Sequence, residues 1–156
     1  MSDKIIYFKR IRFYDYSFEK IFRLISKGGV LVAPAASALT EITKNKKYYN
    51  SLINSDIAIF DSGLFCIFLK IFKGISVNKL SGYLFLKKLI SIKKIKTKRI
   101  LLIDPSIEDS KSNLELMKNY NFKYVESYVA PIYRKNIQDK KLIKKAKIIK
   151  PNYIII

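Results

Sequence analysis

Residues 57–63 read Ile57-Ala58-Ile59-Phe60-Asp61-Ser62-Gly63. Four apolar residues followed by a carboxylate, a hydroxyl and a glycine predict a short buried strand that ends in a turn. The run Leu64-Phe65-Cys66-Ile67-Phe68-Leu69 follows at once and predicts an apolar helix over 64–72, closed by Gly74. Strand, turn and helix in this order form the unit of an α/β fold, and in such folds ligands bind at the carboxyl ends of the strands.

The alternation extends in both directions. Upstream, Val30-Leu31-Val32-Ala33 predicts a second short buried strand. It follows a helix over 18–26 that Ser17 caps and Gly28-Gly29 ends, with Phe18, Ile21, Phe22 and Ile25 on one face. Residues 5–14 read as a strand with room for a hairpin, and 38–54 as a polar helix. Downstream, Gly82 precedes a helical segment over 83–92, and 99–103 is a strand. Asp104-Pro105 starts a helix to about 119, with Asp104 as cap and Pro105 in the first helical position. A strand over 122–129 and a basic helix over 139–149 follow. Pro151-Asn152 then leads into Tyr153-Ile154-Ile155-Ile156, which reads as a central strand. The expected architecture is one α/β domain over 1–156, with a mainly parallel Rossmann-like sheet and helices on both faces. An ending on a fully apolar strand leaves that strand uncovered, so a further segment or a partner is expected as its cover.

Composition narrows the function classes. Of the 156 residues 49% are hydrophobic, which excludes a disordered chain and allows a real core. The formal net charge is +19, from 31 basic and 12 acidic residues. Such a charge favours polyanions: nucleic acid, an anionic membrane face or phosphorylated substrates. The basic residues cluster densely only over 93–99 and 140–150, as solvated faces or a membrane-contact surface. Histidine is absent, which rules out His-based triads within the chain. The single cysteine, Cys66, cannot form an intrachain disulfide, and its apolar neighbours make it a core residue. No metal-ligand cluster, G-x-G-x-x-G or Walker A pattern occurs, so no metal or cofactor is expected. Nucleic-acid binding rests on charge alone and is not expected. The Met-Ser-Asp-Lys start has no secretory core, and no apolar stretch reaches the ~20 residues needed to span a bilayer. A cytoplasmic location is the simplest expectation.

Three loops lie where chemistry is expected: 34–37, 61–63 and 104–106. Asp61 can accept a proton from a substrate hydroxyl, or it can cap the helix that follows. Gly63 lets a ligand approach the backbone. Ser37 can bond a sugar hydroxyl or cap a helix. Lys79, before Leu80-Ser81-Gly82, can hold a phosphate or face solvent. Asp56 and Asp104 read as structural.

These residues together resemble glycosyltransferase family 26, the WecG/TagA/CpsF family. Its pattern runs from a strand ending in Thr-x-Asn, through a helix, to Leu-x-x-Ala-Asp, a hydrophobic run and Asp-Gly-x-Gly. The matching stretch here is Leu52-Ile53-Asn54-Ser55-Asp56-Ile57-Ala58-Ile59-Phe60-Asp61-Ser62-Gly63. Lys79-Leu80-Ser81-Gly82 matches the family's Arg-Val-x-Gly, and Lys150-Pro151-Asn152-Tyr153 its Lys-Pro-Asp-hydrophobic lead into a strand. The chain departs from the pattern in places. Ala33 and Ala35 stand near the family's Thr and Asn, Asp104-Pro105-Ser106 replaces a glycine-rich loop, and the family's Gln-Glu motif would begin beyond Ile156.

The resemblance implies transfer of a sugar, such as N-acetylmannosamine, from a UDP-sugar donor to a lipid-linked sugar acceptor on undecaprenyl diphosphate. The reaction would take place at the inner face of the plasma membrane, against an anionic membrane surface. Asp61 falls where the family has its candidate base. Ala35, Ser37, Ser62, Gly63, Lys79 and Gly82 would line the substrate, and Ser106 and Tyr133 would approach the nucleotide. No cofactor is implied, and a homo-oligomer is compatible with the reading. Two other readings stand beside it: a non-catalytic relative that binds a sugar nucleotide or a partner, which Ala33 and Ala35 favour, and a basic nucleic-acid-binding domain.

Overall fold

The computed structural model describes residues 3–40, 42, 44–133 and 138–156. The fold is α/β with mostly parallel strand pairing, as the alternating pattern predicts. The strands divide between two sheets, and the chain separates into two compact units, Met1–Lys88 and Leu89–Ile156.

The first unit opens with a hairpin. Strands β1 (Lys4–Phe8) and β2 (Ile11–Asp15) pair antiparallel across the two-residue turn Lys9-Arg10, whose φ angles are 46° and 65°. Ile11, Phe13 and Asp15 alternate into the interior, the two-residue period of a strand with one buried face. Helix α1 (Phe18–Ile25) starts at Ser17, whose hydroxyl accepts the Lys20 N–H, and buries Phe18, Ile21 and Phe22. Strand β3 (Leu31–Val32) pairs parallel with β4 (Ile57–Ala58), which in turn pairs parallel with β2, giving the order β1-β2-β4-β3. All four residues of the 57–60 run are buried. The 30–33 run is not a buried strand: β3 sits at the sheet edge, half-buried, with Val30 exposed.

The expected helix over 38–54 is instead two helices, α2 (Ala36–Thr40) and α3 (Lys46–Ile53). Asn45 breaks it, because its side chain accepts the Tyr48 N–H at 3.1 Å and starts α3 afresh. Positions 41 and 43 of that stretch lie outside the described residues. Helix α4 (Gly63–Lys73) docks through Phe65 and Leu69 onto the core. There the rings of Phe13, Phe60 and Phe65 lie within 6.0 Å of one another. Cys66 is half-buried and packs against the edge of this core. Helix α5 (Gly82–Ile90) sets Phe85 against Phe18, ring centroids 5.2 Å apart.

The second unit is a parallel β-α-β-α-β arrangement. Strand β5 (Arg99–Asp104) lies between β6 (Tyr124–Val129) and β7 (Tyr153–Ile155), in the order β6-β5-β7. The first crossover, through α6 (Ile107–Asn119), moves outward to β6. The second, through α7 (Lys140–Ile149), returns past β5 to β7. Right-handed crossovers in opposite directions cover opposite faces of the sheet. Ile100, Leu101 and Leu102 of β5 are buried, as a central parallel strand requires. β7 reads in sequence as a central strand, but among the described residues it pairs on one side only, with Ile154 half exposed at 50%.

Candidate functional site

Strands β2, β3 and β4 run in one direction, so their carboxyl ends share an edge. Asp15 ends β2, Ala33 follows β3, and Asp61 lies just beyond β4 and its buried extension Ile59-Phe60.

Asp61 does not cap the helix that follows it. That work falls to Ser62, whose hydroxyl accepts the Phe65 N–H at 3.3 Å at the start of α4. The Asp61 carboxylate turns the other way, and its Oδ1 accepts the main-chain N–H of Gly82 at 2.8 Å. The first turn of a helix carries unpaired amides and partial positive charge, so a carboxylate is well placed there. Gly82 must be glycine for a packing reason: a Cβ there would lie 2.9 Å from the Cβ of Ala33. The two motifs of the resemblance, one at 61–63 and one at 79–82, thus meet in space, with Ala33 packed against their junction.

Lys79 joins the same corner. A Cβ built on Gly63 would lie 4.0 Å from Lys79 Nζ, so the ammonium stands over the first turn of α4. The chain before it is held by Asp15, whose Oδ1 accepts both the main-chain N–H of Asn78 at 2.8 Å and the Asn78 side-chain amide at 3.2 Å. Asp15 is only 5% exposed. The Cys66 thiol lies nearby: burial pushes it up, the Lys79 charge lowers it and Asp15 raises it again. Chemically, the corner offers a half-buried carboxylate as proton acceptor, and an ammonium near the amides of α4, a pair that suits an anion.

Of the residues expected at the substrate, Asp61, Ser62, Gly63, Lys79 and Gly82 come together here. Ala35 and Ser37 are exposed, with Ser37 in the first turn of α2 rather than at its cap. Asp15 and Asn78 also belong to the corner, although no expected motif includes them, and Ala33, near the family's Thr, packs at its junction. For Asp15 the signal was present, a carboxylate at the end of an alternating strand, as for Asp61.

Ser106 and Tyr133 belong to the second unit. Ser106 caps α6: its hydroxyl accepts the Asp109 N–H at 3.0 Å and donates to Asp109 Oδ2 at 2.6 Å. Asp104, expected to be that cap, is instead the last residue of β5. It is 4% exposed and accepts from Asn113 Nδ2 at 2.8 Å through one oxygen, while the other has no partner among the described residues. Tyr133 lines an open hollow of about 950 Å³ at the carboxyl end of β6, with Tyr128, Pro131, Asp139 and Lys141. Both phenols donate to Asp139 Oδ2 at 2.7 Å, and Asp139 Oδ1 caps α7 by accepting the Leu142 N–H at 2.9 Å. The bond to that carboxylate raises Tyr133 and pushes Tyr128 up to about 12.

No protein-family model and no curated protein matches this chain.

Proposed function

We propose that the chain is a glycosyltransferase resembling glycosyltransferase family 26, which moves a sugar from a UDP-sugar to a sugar acceptor carried on undecaprenyl diphosphate. The observation that carries this reading is the corner where the Asp61 carboxylate meets the start of α5 and Lys79 stands over the start of α4. In the proposed reaction Asp61 takes the proton of the acceptor hydroxyl. The acceptor oxygen then attacks the anomeric carbon of the donor, and UDP leaves with the electron pair of the broken bond, inverting the centre. Lys79 and the α4 amides face the acceptor's diphosphate. In this reading the protein works in the cytoplasm, peripheral at the inner membrane face, where a net charge of +19 attracts both anionic substrates and anionic lipid. No helix among the described residues is long and apolar enough to cross a membrane.

The test is a transfer assay with UDP-N-acetylmannosamine and a short-chain lipid-linked acceptor. Loss of a general base costs on the order of 10²- to 10⁴-fold in rate, and Asp61→Asn should fall by that much. Full turnover in Asp61→Asn would remove the base assignment. A second reading, a relative that binds a sugar nucleotide or partner without turnover, is favoured by Ala33 and Ala35, which offer no side-chain hydrogen bond where the family pattern has Thr and Asn. Calorimetric binding of UDP-sugars by a chain with no transfer activity would select it.

A further inference from the structure

Helix α4 carries five large apolar side chains that face solvent. Leu64, Ile67, Phe68, Ile71 and Phe72 are 74%, 54%, 39%, 69% and 69% exposed. Their spacing of three, one, three and one is that of a single helical stripe. Phe65 and Leu69, on a different arc, are buried and anchor the helix to its core. Phe68 meets the Phe8 ring edge-on at 6.3 Å, and the rest of the stripe is additional to what the fold needs. Phe68 and Phe72 form a ledge along it, ring centroids 5.0 Å apart. The helix has no acidic residue, and Lys70 and Lys73 stand in its last turn, Lys70 one turn from Ile67.

We infer that α4 docks the protein onto an anionic lipid surface, its apolar stripe sinking to the base of the headgroups and its lysines meeting the phosphates. An apolar helical face flanked by cations is the pattern of a helix lying in a membrane interface. The charge of the chain selects this occupant. A second copy would bring another +19 against the same face, whereas an anionic bilayer complements it. Leu64 is the second residue of α4, so the stripe begins three positions after Asp61. Docking would hold the Asp61 turn at headgroup level, where a lipid-linked acceptor presents its sugar. The docking stands on α4 itself; only its use for that acceptor rests on the sugar-transfer reading, and vesicle binding is measured without turnover.

The chain contains no tryptophan, so Phe72→Trp introduces a single reporter. Phosphatidylcholine vesicles with about a third phosphatidylserine should shift its emission to the blue, and pure phosphatidylcholine should do so much less. Tyr124→Trp, on exposed β6, should show no shift. The double variant Ile67→Ser/Ile71→Ser keeps every charge and should co-sediment with the anionic vesicles at least ~10-fold less tightly, since fully burying even one side chain of this size contributes about ten-fold or more. Its circular dichroism should be unchanged, because both side chains are exposed. The inference is overturned if the F72W emission does not move, or if the serine variant binds as tightly as its parent, which would leave charge as the sole attraction. It is also overturned by a concentration-dependent dimer that the serine variant abolishes while vesicles stay unbound.

Discussion

The carboxylate of Asp61 accepts the main-chain N–H of Gly82 at 2.8 Å, joining the end of β4 to the start of α5 across 21 positions of sequence. The bond gives Asp61 a structural task whatever its chemistry, and substitutions can separate the two. Asp61→Asn keeps a carbonyl acceptor for Gly82 and should fold with nearly the parent's stability. Asp61→Ala leaves the amide unpaired and should lose about 1 kcal/mol. A transfer rate that falls in both variants, with stability falling only in the second, isolates the chemical role.

Gly82→Ala places a methyl group 2.9 Å from Ala33 Cβ, closer than two carbons approach without displacement. Both atoms are fixed to backbone, so the helix start must move, at a cost of about 1–3 kcal/mol. Ala33→Gly removes the opposing atom. In urea denaturation the double variant should recover part of the loss, a coupling that independent sites would not show.

The turn before β3 offers a paired comparison. Gly28 and Gly29 have φ of 110° and 123°, a region closed to other residues without strain. A Cβ on Gly28 meets nothing within 4 Å, whereas on Gly29 it falls 2.7 Å from Asp56 Oδ2. That oxygen accepts the Val30 N–H at 2.8 Å and fixes the start of β3. Gly28→Ala should cost about 1–2 kcal/mol of backbone strain. Gly29→Ala should cost at least ~1 kcal/mol more, since it also displaces a hydrogen-bonded carboxylate. Equal unfolding midpoints would mean the Asp56 side chain gives way freely.

Much of this architecture was legible because apolar runs and breakers carry local information. Ile57-Ala58-Ile59-Phe60 reads as buried and is buried, and α1 turns its predicted Phe18, Ile21 and Phe22 inward. What was not legible depends on competition or distance. At the start of α6, Asp104-Pro105 and Ser106-x-x-Asp109 both signal a cap, and the register of β5 against β6 extends the strand through Asp104, which leaves Ser106 as cap. At Asp61, spacing leaves a cap and a base open, because the partner that orients the carboxylate is Gly82, in another helix. The exposed face of α4 reads in sequence as an ordinary apolar helix. Only burial separates Phe65 and Leu69 from the stripe beside them.

Asp139 governs the proton affinity of two phenols. The hydrogen bond from Tyr128 to its carboxylate is the main reason Tyr128 is pushed up to about 12, and Tyr133 is raised in the same way. Asp139 itself lies below the usual carboxylate range, first through the Leu142 N–H. A phenol that holds its proton more tightly when folded stabilises the fold fully below its unfolded value, near 10.0, and loses that contribution as pH rises towards 12. Asp139 acts in the opposite sense: its contribution is present above its unfolded value of 3.8 and is lost as pH falls through the lower folded one. In an ultraviolet titration, Asp139→Asn should shift the last-titrating tyrosine component towards ordinary pH. An unchanged alkaline limb would contradict the paired hydrogen bonds.

The hairpin turn is where the sequence is least suited to its backbone. Phe8 pairs with Ile11, so Lys9 and Arg10 form a two-residue loop, and both have positive φ. This is the geometry of a type I′ turn, which Asn-Gly adopts most readily and which costs other residues about 1 kcal/mol or more each. Lys9→Asn/Arg10→Gly should therefore stabilise the first unit by about 1 kcal/mol, read as a higher urea midpoint with unchanged slope. Working against the gain, the Lys9 ammonium lies 5.7 Å from the centre of the Phe8 ring. An exposed cation–π contact is worth about 0.5–1 kcal/mol, so the Arg10→Gly change alone should realise most of the benefit. A midpoint that falls in the single variant would mean that the Arg10 side chain contributes more than its strained backbone costs.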